Sequence, residues 1–220
     1  MEETAWPVRA GRAASALLAL VAVGYSLTTG LQTAGWSVAN FFSYFTIESA
    51  LLSGAVLLAG AIAPSADPRR QLLRGAATVC MATTGLVDAV VLSGLSLGLT
   101  SGWVNLVVHR VLPAVLVVDW LTQPPRRPLP YRAVPLWFLP PLVFAVYTLV
   151  RGPGAHWYPY QFLDPRGVGY VRVAANLAGT LVVLAVLSFA LAWGARVVRR
   201  RLDARRGHPQ APVPAPAASY

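Results

Sequence analysis

Six stretches of the chain, near residues 13–31, 41–62, 72–95, 104–121, 133–150 and 171–193, are almost continuously apolar. Each approaches the roughly 20 residues that a helix needs to cross a bilayer. A surface helix of a soluble domain shows apolar positions only every three or four residues, and these runs are apolar on every side. The pattern predicts an all-α membrane protein, a six-transmembrane-helix bundle occupying residues 1–202. Residues 203–220, ending H-P-Q-A-P-V-P-A-P-A-A-S-Y, are Pro/Ala-rich and are expected to be a disordered tail. The first run follows Arg9 and Arg12 but exceeds the apolar core of about 7–15 residues found in cleaved leaders, so it reads as a retained anchor.

Composition agrees: 56% of the 220 residues are hydrophobic and 12% charged. The net charge of +10 would fit a nucleic-acid partner were the charges clustered on a soluble face, but all eighteen basic residues are arginines and most border apolar runs. Fourteen lie in the N-terminal segment, the second and fourth connections and the C-terminal segment. The opposite side holds Arg151, Arg166 and Arg172, and Arg110 lies inside the fourth run. This asymmetry places both termini in the cytoplasm of a cell-membrane protein and argues against nucleic acid. Cys80 is the single cysteine, so no intrachain disulfide forms. No zinc or iron–sulfur spacing, P-loop or dinucleotide glycine pattern occurs, and no metal or cofactor is expected.

Polar residues inside the apolar runs carry the functional signal, because hydrocarbon supplies no partner for them. Residues 40–52, N-F-F-S-Y-F-T-I-E-S-A-L-L, place Ser43, Thr46, Glu48 and Ser49 in the first turns of the second run. Counting from the same membrane face, Thr46, Asp88, His109 and Asn176 lie five to seven residues deep, with Tyr147 and Thr148 closing the fifth run. At 1.5 Å per residue they share a level roughly 5–12 Å below the outer edge of the hydrocarbon. In the fourth run Asn105 and His109 align on one helix face, and Pro113 leaves the carbonyl of His109 without its usual donor. The long connection 151–170, containing H-W-Y-P-Y, is expected to fold back as a lid.

A hydroxyl beside an imidazole is the minimum for nucleophilic acyl transfer, with Thr46 attacking and His109 taking its proton. Asp88 would orient the imidazole, and Asn105, Asn176, Tyr147 or Arg110 would supply oxyanion donors. Glu48 lies about 200° around the helix from Thr46 and needs another partner, such as Arg110 or an amide. Two other readings compete. Ser43, Thr46, Ser49, Ala50 and Ser53 form a small-residue stripe that serves helix packing in a non-catalytic scaffold. Glu48, Asp88 and Asp119 are carboxylates of the kind that relay protons in a coupled transporter.

The segments Y-F-T-I-E-S, W-V-N-L-V-V-H-R-V-L-P-A-V-L-V-V-D and H-W-Y-P-Y-Q-F-L-D-P resemble the androgen-induced multi-pass membrane hydrolases and their six-pass bacterial relatives. The best marker is Trp103-x-Asn105-x-x-x-His109-x-x-x-Pro113, followed by Asp119. The resemblance implies a threonine-dependent hydrolase of lipid esters, such as fatty acid esters of hydroxy fatty acids, with Thr46 as nucleophile and His109 as its essential partner. The chain departs from that pattern at Glu48-Ser49, after the threonine, and at Tyr160-Gln161-Phe162-Leu163, where animal members have Y-P-F-L.

Overall fold

A computed structural model describes residues 5–92 and 102–207; no strand occurs among them. In chain order come α1 (Trp6–Leu31), a single turn α2 (Val38–Phe41), α3 (Phe45–Ile62), and α4 (Pro68–Val87), which runs into a π-helical turn, Asp88–Leu92. Next, α5 (Gly102–Leu106), a second π turn (Val107–Val111) and α6 (Leu112–Thr122) form one rod. A 3₁₀ stretch, Tyr131–Phe138, leads into α7 (Leu139–Ala155); α8 (Pro165–Val168) and the long α9 (Tyr170–Gly207) complete the chain.

Five of these segments are long and apolar enough to cross a membrane: Trp6–Leu31, Phe45–Ile62, Gly102–Thr122, Tyr131–Ala155 and Tyr170–Arg205. The third expected run is not among the five. Its helix, α4, opens with Arg69, Arg70 and Arg74, and residues 93–95 lie outside the described residues. Residues 203–207 of the expected tail are helical, because α9 continues to Gly207 and Arg199 pairs with Asp203 one turn on at 2.9 Å. Residues 208–220 lie outside the described residues.

Helix α1 lays Ala16 and Ala19 against Gly54 of α3, which also buries Ser49, Ala50 and Ser53. Side chains this small let two backbones approach closely where apolar burial gives no drive between helices. The hydroxyls of Ser49 and Ser53 make no hydrogen bond, so that part of the polar stripe serves as space rather than chemistry. A second core joins α4, α6, the 3₁₀ stretch and α9 around Trp120 and Trp137, whose rings meet edge-on at 5.5 Å. Each indole satisfies its N–H on a neighbouring backbone, Trp120 on Leu191 O and Trp137 on Leu72 O, both at 3.0 Å.

One end of the helix assembly is sealed by arginines. Arg9 donates to Ala61 O at 2.8 Å and Arg70 to Ala63 O at 2.9 Å, capping the last carbonyls of α3. Arg74 donates to Gln123 O just past α6, and Arg196 to Leu129 O. At the centre, Arg12 grips Asp119 with two bonds, Nε to Oδ1 at 2.7 Å and Nη2 to Oδ2 at 3.2 Å. Arg74 Nε lies 3.4 Å from the same carboxylate. All three side chains are about nine-tenths buried, so the carboxylate holds two guanidinium groups that neither water nor lipid reaches.

Asp119→Ala strands both cations and lowers stability by about 3–5 kcal/mol, read as a fall in thermal unfolding temperature in detergent. The triple variant Arg12→Met, Arg74→Met, Asp119→Leu removes the charges together and recovers most of that loss.

Candidate active site

Thr46 owes its position to a break in the helix within a continuous apolar run. Ser37 Oγ accepts from Asn40 N at 3.3 Å and starts α2, and Ser43 Oγ bonds back to Ala39 O at 2.6 Å and ends it. Tyr44 then adopts an extended conformation, φ −86° and ψ 126°, and α3 starts afresh at Phe45. Thr46 therefore lies in the first turn of α3, where backbone N–H groups have no carbonyl of their own and the helix end is electropositive. Counting apolar residues predicted an unbroken helix from residue 41, because Phe41, Phe42, Tyr44 and Phe45 are as apolar in a bend as in a helix.

The other half of the site comes from the two π turns. Around His109 the wide turn is closed by Leu112 N bonding Val107 O, five residues back. Pro113 follows four residues after His109 and withholds the donor its carbonyl would take, which favours the wider spacing. The backbone of α4 comes close at this point: a methyl group on Gly85 would sit 2.8 Å from His109 O and 3.0 Å from Pro113 Cγ. The turn directs His109 Nε2 to 3.3 Å from Thr46 Oγ1. Asp88, first residue of the other π turn, lies with Oδ1 3.9 Å from His109 Nδ1, beyond a direct hydrogen bond. Nδ1 is buried and makes no hydrogen bond, and the imidazole edge faces the carboxylate.

A fourth residue completes the cluster. Tyr160, from the connection between α7 and α8, places its hydroxyl 3.3 Å from Thr46 Oγ1 and 3.4 Å from Thr46 N. Its ring stacks on Phe162 at 5.3 Å and meets Tyr44 and Phe144 edge-on. Burial pushes the Tyr160 phenol above its ordinary pKa. The connection is fastened along its length. His156 takes the left-handed conformation at the end of α7, and Gly152 leaves room for Tyr158, where any Cβ would collide at 2.1 Å. Asn176 Nδ2 donates to Phe162 O at 2.8 Å. Asp164 is hydrogen-bonded by Arg166, which holds its carboxyl below the usual carboxylate range, and it caps α8.

Thr46 and His109 line a cleft that is partly open to the exterior. Its walls are apolar: Phe45, Phe144 and Leu163 surround the pair, while Pro141 of α7 and Leu177 and Leu184 of α9 extend it along the assembly. The other residues singled out in the sequence fall elsewhere. Tyr147 bonds Ser43 Oγ at 2.9 Å, and Asn176 holds the connection that carries Tyr160. Asn105, Arg110 and Glu48 lie on exposed faces. Asn105 is exposed although His109, four residues on, is half-buried, and it is absent from the lining of the cleft. No group of three or more potential metal ligands occurs among the described residues.

The sequence marks Tyr160 only within the H-W-Y-P-Y connection and in the motif Tyr160-Gln161-Phe162-Leu163, with no role at Thr46. Its distance from Thr46 along the chain, 114 residues, hid the contact. Comparison of the chain with protein-family models, curated proteins and solved structures finds no match.

Gly85→Ala forces the His109 carbonyl and Pro113 away from α4. It is expected to cost about 1–3 kcal/mol, measured by thermal unfolding, whereas Gly11→Ala, where the added methyl meets nothing, is neutral.

Proposed function

We propose that the chain is an intramembrane ester hydrolase of the threonine type, acting on a membrane lipid ester, in a six-crossing arrangement with both termini cytoplasmic. The observation that carries the reading is the Thr46 Oγ1 to His109 Nε2 contact of 3.3 Å at the wall of an apolar cleft. A hydroxyl needs a base to become a nucleophile, and a neutral imidazole with its proton on Nδ1, facing Asp88, presents Nε2 as that base. Apolar walls suit an acyl chain and keep bulk water from the reacting atoms. The motif likeness to the androgen-induced multi-pass membrane hydrolases supports the same assignment of Thr46 and His109. The arginine-capped end supports the orientation, since the positive-inside rule places it in the cytoplasm. Helix α4 with its π turn would supply the sixth crossing.

In this reaction Thr46 Oγ attacks the ester carbonyl carbon as its proton passes to His109 Nε2. The C=O electron pair moves onto oxygen and then returns, breaking the bond to the alkoxide, which leaves with the proton from His109. Water repeats the sequence on the acyl-threonine: its proton goes to His109, the acid is released, and Thr46 recovers its hydrogen. Asp88 faces the imidazole and stabilises the imidazolium that forms in each half. A proton relay through Glu48 and Asp88 gains no support from the geometry, since Glu48 lies on an exposed face and makes no ion pair with His109 among the described residues.

Purified protein in detergent is expected to hydrolyse medium- or long-chain esters and to be labelled by a fluorophosphonate at Thr46. Thr46→Ala abolishes both, and His109→Ala lowers kcat by about 10²–10⁴-fold. Wild-type rates in both variants, with the fold intact, reject the mechanism.

A further inference from the structure

Resting on the ester-hydrolase reading, we propose that Tyr160 is a catalytic residue whose phenolic O–H donates to the oxyanion formed at the substrate carbonyl. Acyl transfer concentrates negative charge on one oxygen, and in a dry cleft that charge needs a fixed donor close to the nucleophile. None of the four donors offered by the sequence stands there. Asn105 and Arg110 are exposed, Tyr147 is bonded to Ser43, and Asn176 donates to Phe162 O.

Tyr160 does stand there, and its hydrogen bonds have a direction. Thr46 N–H, free in the first turn of α3, donates to the phenolic oxygen at 3.4 Å. The phenol accepts there, so its own hydrogen is available to donate, and Thr46 Oγ1 lies within its reach at 3.3 Å. With the imidazole proton on Nδ1, Thr46 in turn donates to His109 Nε2 at 3.3 Å. Attack converts Oγ into an ester oxygen, a poorer acceptor, and creates an oxyanion on the carbon bonded to it. A small rotation about the phenolic C–O bond moves the hydrogen to that oxyanion; no proton is transferred and no further reactant is needed. Phe162, Tyr44 and Phe144 enclose the ring, so the donor is in place before the charge develops. Burial keeps the phenol protonated and able to donate.

The test compares an ester with its thionoester, in which sulfur, a weak hydrogen-bond acceptor, replaces the carbonyl oxygen. Wild-type protein should prefer the ester more strongly than hydroxide in water does. Tyr160→Phe, which keeps the ring, should lower kcat for the ester by about 10²–10³-fold with KM nearly unchanged. The thionoester rate should fall much less, so the oxygen-to-sulfur preference collapses. If both rates fall by one factor, Tyr160 merely positions Thr46 and the proposal is overturned. It is overturned equally if Tyr160→Phe matches wild type, or if wild-type protein shows only the preference of hydroxide; in both cases the hydrolase reading stands. Should a folded wild-type protein turn over neither substrate, the hydrolase reading itself fails and this assignment goes with it.

Discussion

Hydrocarbon offers nothing to a polar group, and that constraint accounts for both ends of this protein. Where the helices need charges at their ends, the arginines use them on carbonyls left over at the termini of α3 and α6, and the surplus converges on Asp119. At the other end the first turn of α3 leaves Thr46 N–H without a carbonyl, and Tyr160 meets it. The same deficit of partners that stabilises one end by closing it leaves the other end loosely joined. There the groups satisfy one another only at lengths of 3.3–3.4 Å, and His109 Nδ1 makes no hydrogen bond.

The layout of the apolar segments could be read from the sequence because apolarity over twenty residues is a property of composition, insensitive to what the helices touch. The pairing of Thr46 with His109 was legible for a similar reason: depth from one face fixes height along the membrane normal, and two polar groups at one height on packed helices find each other. Height alone does not fix azimuth. Tyr147 and Asn176 sit near that level but turn to Ser43 and to Phe162 O. Asn105 is exposed while His109, four residues on, is half-buried, so sharing a helix face does not bring both side chains to the cleft. Tyr160 was unreadable as a site residue, because a connection's fold depends on contacts such as Gly152 with Tyr158 that no periodicity announces.

The connection between α7 and α9 is thus part of the site and not a cover over it. Its anchors are distributed over three elements: Arg151 donates to Asn40 Oδ1 at 2.7 Å, Trp157 meets Tyr44 edge-on at 5.5 Å, and Asn176 holds Phe162 O. These tie the phenol to the bend that positions Thr46, so the two hydroxyls shift together if they shift at all.

The two wide turns carry a consequence for how such a chain can change. Each behaves as one residue too many in a helix, and removing a residue from 107–111 would restore a regular ladder while rotating everything before it by about 100° relative to α6. His109 would then leave Thr46, and Asp88, on its own widened turn, would face a wall of aliphatic carbon. Neither irregularity can be tidied alone without stranding the other. Insertions and deletions in these two segments should therefore travel as a pair through descent, while the straight helices around them drift freely in sequence.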